Sequence, residues 1–228
     1  MGVEVVSAGA DTGSRSPLPE IRLGSRRAGH FGEFRLRLKA VPASGETEAV
    51  AGLPSQLDAG DDVPNQVNVV IEIPRGSDVK YEIDKKTGFV FVDRFLYTST
   101  HYPFNYGFIP QTKSEDGDPL DALVITEEPV FPMSVIRCRP IGVLLMEDEK
   151  GPDAKLVAVP TAHIDPVYAH VETIMQIPEF TRMQIEHFFT HYKSSEPDKF
   201  VKMGKWEDAK FAKALIMAAL RQKGGRGK

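Results

Sequence analysis

The chain has 228 residues, of which 41% are hydrophobic and 26% charged, and its formal net charge is −4. These values predict an ordinary globular protein with one main domain, and they exclude the global basic field that attracts nucleic acid. A single cysteine, Cys138, excludes an internal disulfide and a thiolate metal cluster. No stretch approaches the ~18 apolar residues of a membrane span, which predicts a soluble protein.

Residues 1–62 differ in composition from the rest of the chain, with many small residues, a basic block and then an acidic stretch. Apolar and basic residues alternate from Phe34 to Ala40, which predicts a strand near residues 33–40 in an otherwise partly disordered N-terminal extension. An organellar targeting peptide is an alternative, although Glu4 and Glu20 depart from the acid-poor composition of transit sequences.

From Asn65 onward, short apolar runs separated by Gly, Pro and Asp predict a series of strands. They are Val67–Ile73, Val79–Ile83, Phe89–Tyr97, Leu120–Thr126, Val135–Met146 and Leu156–Thr161. Two helices follow, one from Pro178 to about Tyr192 and one from about Trp206 to Gln222. Phe180, Met183, Phe188 and Tyr192 form the predicted apolar face of the first helix. The pattern indicates a mainly β (α+β) domain over residues 63–223, a small barrel or sandwich, with a frayed tail at 224–228.

Three aspartates within six residues, Asp116, Asp118 and Asp121, form the strongest chemical signal in the sequence. Pro119 restricts the backbone between them, so their carboxylates can surround one small volume, and oxygen ligands favour Mg²⁺ or Mn²⁺. An acidic turn without a metal is the alternative, because Asp and Gly are common turn residues.

A second acidic turn spans residues 147–155 and contains Asp148 and Asp153. Taken alone, it is typical of a solvated hairpin loop. If both turns lie at one mouth of the domain, their carboxylates repel one another and require divalent cations.

Cationic and phenolic residues lie where predicted elements begin or end, and each alone is typical of a surface ion pair or a core aromatic residue. They include Lys80, Arg94, Tyr106, Tyr192 and Lys193. Together with many carboxylates, they suit two-metal phosphoryl transfer, in which metals and cations hold phosphate oxygens. The sequence lacks the GxxxxGK[ST], GxGxxG and GxSxG motifs of nucleotide-binding proteins and serine hydrolases.

With these motifs assembled, the chain resembles the soluble family I inorganic pyrophosphatases over residues 65 to 220. Asp116-Gly-Asp-Pro-Leu-Asp121 is similar to the family signature D-x-D-P-x-D. The other matching motifs, in the family's order, are Ile71–Pro74, Lys80–Glu82, Val92–Phe95, Tyr102–Gly107, Val135–Pro140, Asp153–Lys155 and His187–Lys193. The resemblance implies a five-stranded OB-like closed barrel with two C-terminal helices packed on it. It also implies hydrolysis of inorganic diphosphate with several Mg²⁺ ions per site, for which Mn²⁺ is a possible substitute.

The resemblance also implies a role for each matching residue. Asp116, Asp121 and Asp153 would be the first metal ligands, and Asp148 and Glu72 would complete the metal sites. Asp118 would be the general base that deprotonates the attacking water. The implied substrate-binding residues are Lys80, Arg94, Tyr106, Lys155, Tyr192 and Lys193, and the implied supporting residues are Glu82, Tyr102 and Glu149.

The extension before Asn65 is longer than in short bacterial-type members of the family. With this extension, the expected homo-oligomer is either a hexamer or a dimer. The expected compartment is the cytoplasm, with an organelle as the alternative. A non-catalytic metal-dependent phosphate or polyphosphate binder is one alternative function. A single-stranded nucleic-acid module is another, which the expected acidic mouth opposes; no membrane partner is expected.

Overall fold

A computed structural model of the chain describes residues 57–84, 86–114 and 116–224, and side chains as far as residue 220. The predicted strand near residues 33–40, most of the N-terminal extension and the last four residues of the predicted tail lie outside the described ranges. The prediction of a mainly β architecture with two C-terminal helices is confirmed. Within the described ranges, no helix is both long and apolar enough to cross a membrane.

Eight strands and two helices make up the described fold. In chain order they are β1 (Val67–Ile73), β2 (Val79–Ile83), β3 (Val90–Phe95), β4 (Asn105–Phe108), β5 (Asp121–Val124), β6 (Val135–Asp148), β7 (Gly151–Pro160), α1 (Glu179–His191), β8 (Val201–Asp208) and α2 (Ala209–Gly224). Two single-turn 3-10 helices, Pro166–Tyr168 and Ile174–Gln176, precede α1.

The main sheet has the strand order β1-β4-β5-β7-β6-β8, and β1 also pairs with β6. Thus β1 is bonded to β4 along one edge and to β6 along the other, both antiparallel. The pair β5 and β7 is parallel, whereas β6 and β7 form a long antiparallel hairpin. β2 and β3 form a separate two-stranded sheet.

Alternate residues of the same strands enter two different apolar clusters, as the two-residue period of a strand requires. On β5, Leu123 packs in the cluster that contains Phe188 and Phe189 of α1. Its neighbour Ala122 packs in the other cluster, with Ala212 and Ile216 of α2. The sheet therefore lies between the two clusters, and each helix covers one of them.

Gly107 on β4 permits the close approach of β4 to β1. A Cβ atom at this position would lie 1.8 Å from the carbonyl oxygen of Val70, so a larger residue would push the two strands apart. This close pairing carries Tyr106 and Asn105 to fixed positions beside β5.

The structure corrects several sequence predictions. β4 and β8 were not predicted, and the predicted helix start at Trp206 is wrong because that residue belongs to β8, which pairs with the outer edge of β6. α2 instead begins after Asp208, whose carboxylate accepts a hydrogen bond from the backbone N–H of Phe211, as an N-cap residue does. Phe180 and Met183 are exposed, so the predicted apolar face of α1 is only partly right; its buried residues are Ile185, Phe188 and Phe189.

Candidate active site

A cavity of about 810 Å³ opens between the β2–β3 hairpin, the β4–β5 loop, the β6–β7 hairpin and the segment after α1. Every site residue predicted from the sequence lines it: Glu72, Lys80, Glu82, Arg94, Tyr102, Tyr106, Asp116, Asp118, Asp121, Asp148, Glu149, Asp153, Lys155, Tyr192 and Lys193. The two acidic turns identified in the sequence therefore face one volume.

The Asp116–Asp121 segment connects β4 to β5. Asp121 is the first residue of β5 and lies opposite Phe108 of β4 in the ladder. Asp116 accepts a hydrogen bond from the backbone N–H of Asp118 at 3.1 Å, and Gly117 between them has a φ of +93°, which favours glycine. Asp116 and Asp118 thus occupy the exposed tip of this segment, whereas Asp121 is anchored in the sheet.

Lys155 on β7 contacts carboxylates from both acidic segments of the cavity. Its Nζ lies 2.7 Å from Oδ2 of Asp121 and 2.8 Å from Oδ1 of Asp153, and it donates a hydrogen bond to the Tyr106 hydroxyl at 3.1 Å. Burial opposes the charge of Lys155, but Asp121, Tyr106 and Asp153 outweigh it and hold the pKa of the ammonium well above its usual value. Lys155 is therefore a fixed positive charge on the floor of the cavity.

A second cation, Lys193, lies just after the end of α1. Its Nζ is 2.7 Å from Oδ2 of Asp148 and 3.4 Å from Oε2 of Glu149. Burial raises the pKa of Asp148, but the hydrogen bond from Lys193 prevails and the pKa of this carboxyl lies below its usual value. Lys199, which the sequence did not single out, also lines the cavity and binds Glu149 at 2.5 Å.

The β2–β3 hairpin supplies two further cations. Lys80 is bound by Glu82 and by Asp93, whose Oδ2 lies 3.1 Å from the Lys80 Nζ. The guanidinium of Arg94 lies 2.6 Å from Asp93 and donates through Nε to Glu196 at 3.1 Å. Sequence reasoning assigned no role to Asp93, although it lies in the Val92–Phe95 motif. It missed Glu196 because that residue reaches Arg94 from a segment 102 residues further along the chain.

Glu72 extends from β1 toward the same cavity. Its Oε1 accepts a hydrogen bond from the backbone N–H of Ile83 at 2.9 Å. Burial, together with the neighbouring Asp121, raises the pKa of Glu72 to about 7 against the effect of that hydrogen bond. Unlike an exposed glutamate, Glu72 thus keeps its proton up to a pH close to neutral.

Aromatic rings form one wall of the site. The rings of Tyr102 and Tyr106 lie 5.4 Å apart, and Tyr192 packs edge-on against Phe189 at 5.7 Å. Burial raises the pKa of Tyr106 well above its usual value, so its hydroxyl remains protonated and can donate a hydrogen bond. This wall excludes water from one side of the cavity and presents phenolic hydroxyls to it.

The donors fit a hard divalent cation by their chemistry, because oxygen ligands from carboxylates are those that Mg²⁺ and Mn²⁺ prefer. Over the described residues, no three carboxylate, imidazole or thiol groups already form a converged ligand set. Lys155 and Lys193 bind Asp121, Asp153 and Asp148 instead. A cation bound by these carboxylates would therefore share them with the two ammonium groups.

Comparison with known proteins identifies the family. A family model described as inorganic pyrophosphatase matches residues 69–223. The chain is 54% identical over 172 residues to the inorganic pyrophosphatase of Aquifex pyrophilus, a match that covers 75% of this chain and 97% of that protein. It is also 54% identical over 164 residues to the Escherichia coli inorganic pyrophosphatase, covering 72% of this chain and 93% of the relative.

The fold agrees with the sequence match. The crystal structure of inorganic pyrophosphatase from Thermus thermophilus superposes with a TM-score of 0.73 at 44% identity, covering 77% of this chain and all of that one. The matched part begins after the N-terminal extension and includes every residue that lines the cavity. The resemblance found in the sequence is confirmed, and the chain belongs to the inorganic pyrophosphatase family.

Proposed function

We propose that the chain hydrolyses inorganic diphosphate to two phosphates. The observation that carries the proposal is the composition of the cavity, where carboxylates from β1, the β4–β5 loop and the β6–β7 hairpin face the ammonium groups of Lys80, Lys155 and Lys193. Carboxylates can hold metal ions, and the cations can bind the oxygens of a small polyanion. Family membership supports the same reaction.

The metal ligands in this proposal are Asp116, Asp121 and Asp153, with Asp148 and Glu72 completing the sites as substrate enters. When bound, several Mg²⁺ ions, or Mn²⁺ in their place, would neutralise phosphate charge and make a water molecule more acidic. These carboxylates belong to different strands and loops, so the fold holds them around the cavity before any ligand is present.

Asp118 is the proposed general base. Its backbone N–H is held by Asp116, and it lies on the cavity-facing segment between two proposed metal ligands, which supports a role at the attacking water. A carboxylate at this position can hold that water and accept its proton.

Lys80, Arg94, Tyr106, Lys155, Tyr192 and Lys193 are the proposed substrate-binding residues. Four of them are cations that offset the charge that develops on the transferred and leaving phosphates, and the two tyrosines donate hydrogen bonds. Glu82 and Glu149 are proposed to orient Lys80 and Lys193, which they contact, and Tyr102 is proposed to support Tyr106, against which it packs.

We also propose an architecture, an assembly and a cellular location for the chain. The pairings of β1, β4, β5, β7 and β6, which return to β1, support a five-stranded OB-like closed barrel within residues 63–223. Exposed Phe180 and Met183 on α1 support a homo-oligomer, a hexamer or a dimer. The proposed location is the cytoplasm, with organellar targeting by the N-terminal extension as the alternative.

Phosphate release from diphosphate by the purified full chain tests the proposal. We expect turnover with Mg²⁺, turnover with Mn²⁺, and none after excess EDTA. Diphosphate that binds with Mg²⁺ present but is never cleaved would instead identify a non-catalytic binder and refute the enzyme.

A further inference from the structure

The two ends of the β4–β5 loop, residues 109–120, meet at Ile109 and Leu120, a pair that we call the neck of the loop. Backbone hydrogen bonds close this neck only in part. The ladder of β4 and β5 ends at the pair Phe108 and Asp121. At the next pair outward, the N–H of Ile109 donates to the carbonyl oxygen of Leu120 at 3.0 Å. The opposite bond of that pair, from Leu120 N–H to the Ile109 carbonyl, is replaced by a side chain.

The side chain is the hydroxyl of Thr112. Its Oγ1 accepts the N–H of Leu120 at 2.9 Å and donates to the carbonyl oxygen of Ile109 at 2.6 Å. Thr112, Ile109 and Leu120 are 5%, 0% and 2% exposed. Because polar groups left unbonded in such surroundings are costly, the hydroxyl is held in one orientation and locks the neck of the loop.

The tip of the loop is defined by this neck. Asp116 and Asp118 are exposed. Between the neck and the tip, the backbone N–H of Lys113 donates to the Ala219 carbonyl of α2 at 3.0 Å, and the N–H of Ser114 donates to the Asp118 carbonyl at 2.7 Å. The neck also sets the start of β5, where Asp121 lies. A shift at Thr112 would therefore move Asp116 and Asp118 relative to Asp121, which is anchored in the sheet.

We propose that Thr112 is a positioning residue for metal binding: its hydroxyl fixes the loop neck so that Asp116 and Asp118 face the cavity beside Asp121 before a metal enters. This inference rests on the proposed function, which assigns the loop to metal binding. Loss of a group that hydrogen-bonds directly to a metal ligand typically weakens metal binding by about 10-fold to 100-fold. Thr112 acts through the backbone of the loop, so we expect the lower end of that range.

The test measures Mn²⁺ binding to three variants of the full chain without diphosphate. Electron paramagnetic resonance of the free Mn²⁺ ion is the readout. Thr112→Val keeps the shape and removes the hydroxyl, whereas Thr112→Ser keeps the hydroxyl. Thr126→Val is the matched control, because the buried Thr126 hydroxyl also accepts one hydrogen bond, from Asn105, and donates one, to the Glu128 carbonyl. Thr126 does not line the cavity.

We expect Thr112→Val to weaken Mn²⁺ binding by about 10-fold or more, and to raise the Mg²⁺ concentration that half-saturates diphosphate hydrolysis. Thr112→Ser and Thr126→Val should bind Mn²⁺ as the wild type does, even if Thr126→Val lowers the melting temperature as much as Thr112→Val. If Thr112→Val does not fold, Thr112→Cys, whose thiol is a weaker donor and acceptor, should give intermediate affinity.

Wild-type Mn²⁺ affinity in the folded Thr112→Val or Thr112→Cys variant would overturn the inference, as would an equal loss in Thr126→Val. Failure of the proposed function has a different signature, which is a wild-type chain that releases no phosphate with Mg²⁺. A wild type that is active while Thr112→Val is unchanged in Mn²⁺ binding and Mg²⁺ dependence would refute only the role of Thr112.

Discussion

The Nζ of Lys155 lies 2.7 Å from Oδ2 of Asp121, so a buried ammonium group is bonded to a carboxylate that we propose as a metal ligand. The same ammonium contacts Asp153. In the metal-free protein Lys155 neutralises part of the charge that would otherwise make these carboxylates repel one another. It also competes with a metal ion for the same oxygens.

Replacement of Lys155 should therefore separate metal affinity from turnover. Two unit charges about 4 Å apart interact by about 1 kcal/mol in bulk water and by about 4 kcal/mol at the effective dielectric constant of a protein site. We expect Lys155→Met to tighten Mn²⁺ binding about tenfold, and to lower kcat for diphosphate about 100-fold through loss of a substrate cation. Both are measured on the full chain, by Mn²⁺ titration without substrate and by phosphate release with saturating Mg²⁺.

Lys202→Met is the control for that variant, since Lys202 is exposed on β8 and pairs with Glu147 at 3.7 Å. It should leave both quantities unchanged. Weaker Mn²⁺ binding in Lys155→Met would contradict the competition between ammonium and metal.

The raised pKa of Glu72 predicts a pH dependence of stability in the metal-free protein. Because the folded-state pKa is about 7 against an ordinary 4.5, the folded protein holds a proton that the unfolded chain has lost between these values. The free energy of unfolding should therefore fall as pH rises from 4.5 to 7, and the contribution of Glu72 should be fully lost above pH 7. Water in the cavity limits the effect to the order of 2 kcal/mol.

Glu72→Gln checks this sign, because glutamine resembles the protonated carboxyl and its Oε1 can still accept the N–H of Ile83. In EDTA the variant should be more stable than the wild type at pH 8 and equal to it at pH 4.5, as measured by urea unfolding. A variant that is less stable than the wild type at pH 8 would show that the carboxylate is stabilising in the fold.

Asn105 on β4 is a buried polar junction that should be important for stability. Its Oδ1 accepts the backbone N–H of Arg75 at 3.0 Å and of Val130 at 3.1 Å, and its Nδ2 donates to Thr126 at 2.6 Å and to the Glu128 carbonyl at 2.9 Å. Asn105→Ala leaves several buried groups unbonded, so we expect a loss of about 3 kcal/mol or more in the free energy of unfolding.

Asn65→Ala provides the comparison, because the Asn65 side chain is exposed and its hydrogen bonds with Asp62 and Lys213 are exposed as well. Its effect should stay within about 0.5 kcal/mol. Equal urea midpoints for the two variants would show that Asn105 is not a structural junction.

Strands with clear apolar patterns were predictable from the sequence. β1 and β2 were predicted with the bounds that the structure shows, because their branched and aromatic residues are flanked by turn residues. β4 has only four residues and contains Asn and Gly, so its strand conformation depends on pairing with β1 and β5. β8 likewise depends on the edge of β6, since none of its own residues is buried and they alternate only weakly between half-buried and exposed positions.

The residues of the cavity were also predictable, but their partners were not. The spacing of Asp116, Asp118 and Asp121 and the resemblance to a known family identified most of the charged lining residues, but not Lys199. The contact of Lys155 with Tyr106 joins β7 to β4 across β5, and the contact of Arg94 with Glu196 joins β3 to the segment after α1. Such pairs depend on long-range pairing of strands, which local patterns do not specify.

Turnover of diphosphate by the Asp118→Asn variant tests the central claim most directly. We predict that the wild type releases phosphate with Mg²⁺, and that Asp118→Asn lowers kcat by about 100-fold to 10,000-fold, the range for a general base. Mn²⁺ affinity and melting temperature should stay close to those of the wild type. Asp165→Asn, at a 3-10 helix cap outside the cavity, should retain full activity. Wild-type kcat in Asp118→Asn, or no phosphate release by the wild type, would contradict the account.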